Sequence, residues 1–73
     1  MRTFTVKMIW DEGCWHTSTE APLCLTLNSD SYDTLVERVR IAAPEIIGMN
    51  CDYTGPIKLI FISEREEMIL EAV

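Results

Sequence analysis

Between residues 4 and 10, apolar side chains occupy alternate positions: Phe4, Val6, Met8 and Trp10 alternate with Thr5, Lys7 and Ile9. This two-residue period is that of a strand with one buried face. Turn-forming Asp11, Glu12 and Gly13 then interrupt the pattern, and Trp15 restarts it. Setting Trp10 opposite Trp15 places Met8 opposite Thr17 and Val6 opposite Thr19. Pro22 ends the second run, because proline cannot donate to a ladder and an X-Pro step favours turns. Leu23, Leu25 and Leu27, alternating with Cys24, Thr26 and Asn28, read as a third strand. Three consecutive strands are therefore expected within residues 4–28, and the rest of the chain covers or extends them.

The face opposite the tryptophans carries Thr5, Lys7, Ile9, Cys14, His16, Ser18, Glu20, Cys24 and Thr26. It is mixed in character and is expected to stay open, with a helix covering the other face. That helix begins after Asn28-Ser29-Asp30-Ser31, a cluster of capping residues. Tyr32, Leu35, Val36, Val39, Ala43, Ile46 and Ile47 recur at close to helical spacing. Asp33 suits the positive end of the helix dipole. Glu37, Arg38, Arg40 and Ile41 fall on the outer surface. Pro44 is expected to kink the helix or to start a short second one, and Gly48 and Asn50 to end it. Residues 51–56 read as loop, with Thr54-Gly55-Pro56 as its turn.

Residues 57–63 form the most strand-like run, apolar apart from Lys58 and Ser63. Such a run needs both faces covered, or one of them covered by a partner. Residues 64–73 fit two patterns. Ser63 with Glu66 fits a capping box, whereas Met68, Leu70 and Ala72 fit a strand returning beside residues 57–63, which is the reading adopted. The expected fold is one α+β domain over residues 1–73: a three-stranded antiparallel meander, one helix, then a fourth strand.

A chain of 73 residues buries only roughly 60% of its unfolded surface, and scaffolds of this size usually add a staple or a partner subunit. A homodimer is therefore expected. Three cysteines, Cys14, Cys24 and Cys51, cannot all pair within one chain, and no secretory signal is evident. These features point to a reducing cytoplasm. No apolar run approaches the ~18 residues of a membrane span. The net charge of −6 argues against direct nucleic-acid binding, which needs Lys and Arg on phosphates. It suits a basic partner, although acidity also simply keeps a small protein soluble.

Four local features invite sharper readings. Asp11 and Glu12 could suggest a metal site, but neighbours on an extended chain point opposite ways, and solvation in a turn explains them better. Cys14, His16, Cys24 and Cys51 match no standard metal-ligand spacing, so free thiols are expected. Cys14 and His16 share a strand face, but no third group orients them for nucleophilic catalysis. Trp10 and Trp15 read better as a cross-strand pair packed under the helix than as an exposed recognition pair. No enzyme, metal or cofactor is expected.

Several phrases together resemble the HicB-like antitoxin family. They are the opening strand of residues 4–12 running into Trp-Asp-Glu, a tryptophan shortly after it, and Asp30-Ser31-Tyr32-Asp33-Thr34-Leu35 opening the helix. Ala43-Pro44-Glu45-Ile46-Ile47 followed by Asn50 is similar to a short branch of that family. Pro22-Leu23 stands where Gly-Leu is usual. The resemblance implies a truncated ribonuclease-H-like fold of β-β-β-α-β order. It also implies a non-catalytic role, neutralising a small basic HicA-like toxin that cleaves RNA. A DNA-binding domain often follows the sheet in that family, and this chain is expected to lack one. Contact with the partner is expected through the open sheet face (Lys7, Ile9, His16, Glu20 and Thr26) together with Glu37 and Ile41 of the helix. An orphan, self-associating domain of the same fold is the alternative, and a metal-dependent nuclease a weaker one.

Overall fold

The computed structural model of the chain describes residues 1–70. The opening alternation forms β1 (Arg2–Asp11), and the restart at the second tryptophan forms β2 (Cys14–Ser18). The two pair antiparallel in the register that the tryptophans suggest, with Trp10 opposite Trp15 and Met8 opposite Thr17. Glu12 and Gly13 make the turn between them, both with positive φ (51° and 79°). Positive φ at both central residues matches the right-handed twist of the flanking strands, which is why two-residue hairpins favour it.

The third strand differs from expectation. β3 is only Asn28–Ser29, paired with His16 and Trp15 of β2. Residues 23–27 run beside β2 but are held largely by threonine hydroxyls. The Leu27 N–H donates to Thr17 Oγ1 (2.9 Å), which in turn donates to the Leu25 carbonyl (3.0 Å). The Leu25 N–H donates to Thr19 Oγ1 (3.0 Å). Only the Thr17 N–H reaches a main-chain acceptor here, the Leu27 carbonyl (3.0 Å). With the main-chain groups of Leu25 and Leu27 satisfied in this way, the segment carries Leu23 and Leu25 into the core, where both are buried. The expected meander therefore shrinks to one full antiparallel ladder and a two-residue appendage.

The helix α1 (Tyr32–Cys51) starts where the capping cluster places it, with the Thr34 N–H donating to Ser31 Oγ (3.3 Å). It continues through Pro44, Gly48 and Asn50, which were expected to break or end it. Pro44 is exposed, so the Arg40 carbonyl it leaves without an intrahelical donor lies on the solvent side. Asn50 acts as a tie instead, its amide donating to the Pro22 carbonyl (2.7 Å). The terminator is Asp52, in the left-handed region at φ 53°.

The last element is β4 (Ile57–Glu64), which lies parallel to β1 from Arg2–Ile57 to Ile9–Glu64. The sheet is thus mixed, in the order β3-β2-β1-β4, with β4 at one edge. Residues 65–70 do not return as a strand or form a helix; they continue exposed and irregular, and residues 71–73 of the expected tail strand lie outside the described residues. The core sits between sheet and helix. Val6 and Met8 meet Leu23 and Leu25 from the connecting segment and Leu35, Val39, Ala43 and Ile47 from α1. That helical stripe has the four-residue spacing read from the sequence.

Candidate functional site

One face of the sheet is covered by α1 and the other is open. The register assigns the open face: Thr3, Thr5, Lys7 and Ile9 of β1, His16 and Ser18 of β2, and Lys58, Ile60, Ile62 and Glu64 of β4. Ile60 and Ile62 are 40% and 48% exposed, side by side with Thr5 and Lys7. The Lys7 ammonium is 3.2 Å from the Glu64 carboxylate, and both side chains are about half exposed, so the pair positions more than it stabilises. The face is apolar at its centre with nearly balanced charge. It is mixed in character and not markedly acidic.

Apart from Glu64 and Asp11 at the ends of their strands, acidic groups lie elsewhere, among them Glu12 in the hairpin turn, Asp33, Glu37 and Glu45 along α1, and Glu66 and Glu67 after β4. The last of these leads into Met68, Ile69 and Leu70, all more than four-fifths exposed.

The residues expected to touch a partner divide into a sheet group, a helix pair and Thr26 on its own. Ile9 and His16 are direct cross-strand neighbours, and Lys7 is paired with Ser18. Because β2 stops at Ser18, a groove of about 500 Å³ opens beside the first half of β1, and Glu20 and Lys7 both line it. Thr26 is exposed but lies on the connecting segment, outside any ladder. Glu37 and Ile41 sit across the molecule on the outer side of α1, away from Leu35 and Val39. Glu37 accepts a hydrogen bond from Arg40 (3.0 Å), and Ile41 is 71% exposed. One flat partner surface cannot touch the helix pair and the sheet group together. Ile60, Ile62 and Lys58 were missed as members of the open face. Their signal was present in the alternation of residues 57–64, but reading it required knowing which strand they pair with.

The aromatic pair is found, though only half buried. Trp10 and Trp15 meet edge to face (centroids 5.3 Å apart), and Trp15 meets Tyr32 of α1 in the same way (5.0 Å). Ser63 donates to the Tyr32 hydroxyl (2.8 Å), and the Arg65 guanidinium lies over Trp10 (4.4 Å). The cluster seals the hairpin end of the core and leaves Trp10 under an arginine instead of under the helix.

Asp11 and Glu12 are exposed at the turn, and the described cysteines are unpaired, with Cys14 and Cys51 half buried and Cys24 exposed. Among the described residues no group of three or more His, Cys, Asp or Glu is placed to share a metal ion. No described helix is long and apolar enough to cross a membrane.

A single helix laid on one face of a four-stranded mixed sheet defines a small α+β protein with one face uncovered. Residues 3–72 match the domain of unknown function DUF1902, and the chain belongs to that family. No curated protein matches it. The fold is similar to the crystal structure of a hypothetical protein, TTHA1013, from the extremely thermophilic bacterium Thermus thermophilus. The TM-score is 0.74 at 20% identity, covering 92% of this chain and 99% of that one.

Proposed function

We propose that the chain is a non-catalytic, cytoplasmic binding protein of the HicB-like antitoxin type, whose partner is a small basic protein that cleaves RNA. On this reading the fold is the truncated ribonuclease-H-like arrangement of that family. The observation that carries the proposal is the placement of charge and apolar surface. Ile9, Ile60 and Ile62 offer an apolar floor on the open sheet face. Glu64 stands at the end of that face, and Glu66 and Glu67 follow it in an exposed segment that includes Met68, Ile69 and Leu70. Acidic groups at the rim of an apolar patch speed encounter with a basic partner and disfavour other partners, while the apolar centre supplies the lasting contact. The resemblance carried by residues 4–12 and 30–35 supports the same reading. Of the residues named for contact, Lys7, Ile9, His16 and Glu20 belong to this surface; Thr26, Glu37 and Ile41 do not.

The test is an affinity pull-down of the tagged chain from its native host at low and high salt, read by mass spectrometry. Recovery of one small basic protein, released at high salt and with its RNA cleavage blocked by this chain, supports the proposal. Recovery of the chain alone as a salt-resistant oligomer sinks it. The second reading, a self-associating domain without a toxin, would then stand. The observation that favours it is the outer edge of β4, with which none of the described residues pairs.

A further inference from the structure

We propose that the outer edge of β4 is the seat of a second copy of this chain, paired antiparallel about a two-fold axis at Phe61. This deepens the self-association reading and stands apart from the toxin reading.

β4 is the terminal strand of the sheet, and among the described residues nothing pairs with its free edge. Parallel strands are normally buried on both sides, and exposed edges are normally blunted by proline, bulges or several charges. Across Ile57–Glu64 the edge has no proline, and before its last residue its only charge is Lys58. It exposes Ile60 and Ile62 on the open face.

Symmetry restricts how two such edges can meet. Directly opposed residues of an antiparallel pair share a face. A two-fold axis normal to the sheet must therefore pass beside one residue position, and Ile60 and Phe61 are the two nearest the middle of β4. With the axis at Ile60, Lys58 meets the partner's Ile62, and Glu64 meets the partner's Pro56. With the axis at Phe61, Lys58 meets the partner's Glu64 and Ile60 meets the partner's Ile62, each contact occurring twice. Both pairs lie on the open face, where the register with β1 already puts Lys58, Ile60, Ile62 and Glu64. Charge complementarity and apolar matching select the same axis. The result is one continuous eight-stranded sheet with its open faces on the same side, which doubles the apolar floor.

The experiment combines light scattering of the purified full-length chain with cysteine cross-linking in a background where Cys14, Cys24 and Cys51 are serine. The chain is expected to run as a dimer. Ile60→Cys with Ile62→Cys is expected to yield an oxidised dimer, and either substitution alone is not, because each residue sits two positions off its own copy. Ile60→Lys with Ile62→Lys, which sets lysines opposite lysines, is expected to abolish the dimer while leaving the circular dichroism of the monomer intact. If that variant does not fold, Lys58→Glu, which opposes like charges at both ends, provides the same reading and is expected to weaken the dimer. A monomer at submillimolar concentration overturns both the edge assignment and the self-association reading. A dimer that survives the lysine variants and does not cross-link overturns the edge and register alone. Neither outcome bears on capture of a basic toxin.

Discussion

At the scale of single residues, three positions show how conformation, hydrogen bonding and space each constrain one side chain. Glu12 holds a positive φ that Asn and Gly adopt at lower cost, and it does so in a two-residue hairpin whose preferred first residue is Asn. Glu12→Asn is expected to stabilise the chain by about 0.5–1 kcal/mol, read as a shift of the urea midpoint at constant slope. Thr17 is the reverse case, since its hydroxyl is satisfied by two leucine main-chain groups. Thr17→Val conserves shape but leaves the Leu27 N–H and the Leu25 carbonyl without this partner, at an expected cost of about 1–3 kcal/mol by the same measurement. At the turn before β4, a Cβ on Gly55 would lie 2.6 Å from the Tyr53 hydroxyl, which itself donates to the Pro56 carbonyl (2.7 Å). The glycine is there because the tyrosine ring occupies the space a side chain would need.

Among the elements, α1 shows how packing overrides local propensity. A proline inside a helix costs about 3 kcal/mol relative to alanine, yet the helix continues past Pro44. Ala43 and Ile47 on either side of it are both buried, and breaking the helix there would pull Ile47 out of the core. Pro44→Ala is expected to raise the thermal midpoint, since the exposed site loses no packing and regains a main-chain hydrogen bond. Leu35→Ala should do the opposite. It opens a cavity at the centre of a small core, costs about 2–5 kcal/mol, and is expected to leave the chain largely unfolded by circular dichroism at about 37 °C. The periodicities of β1 and of α1 were legible because each repeats over several turns or pleats, and the Trp10–Trp15 register followed from a short turn between two strong signals. The third strand was misread for a local reason. Leu23, Leu25 and Leu27 alternate as a strand would, but nothing in that alternation reveals that the hydroxyls of Thr17 and Thr19 stand in for a backbone ladder.

For the whole molecule, the telling quantity is the mismatch between a small core and the apolar surface left outside it. The Cα radius of gyration is 14.7 Å and the long axis 57 Å, more extended than a compact domain of this length (about 11 Å), and beyond Arg65 residues 66–70 are exposed and irregular. If β4 seats a second copy, association is linked to folding, and the thermal midpoint is expected to rise with protein concentration for the native chain but not for the Ile60→Lys, Ile62→Lys variant. Differential scanning fluorimetry over a roughly hundredfold concentration range distinguishes the two. The candidate surface was only half legible for a reason of the same scale. Which residues share a strand face is a matter of counting by two, so Lys7, Ile9 and His16 were found together. Glu37 and Ile41 were joined to them on exposure alone, and the thickness of the sheet and helix layers separates the groups.

The sequence by itself determined the strand–turn–strand opening, the position of the helix and its buried stripe, and the strand at residues 57–63, because each rests on interactions between residues near one another in the chain. Tertiary structure decided the rest. It set β4 parallel to β1, carried the helix through Pro44 and held residues 23–27 by threonine hydroxyls instead of a strand ladder. It also left residues 65–70 without a strand partner. Each of these outcomes depends on contacts between segments far apart in sequence, where burial of a common core outweighs the local preferences from which a sequence is read.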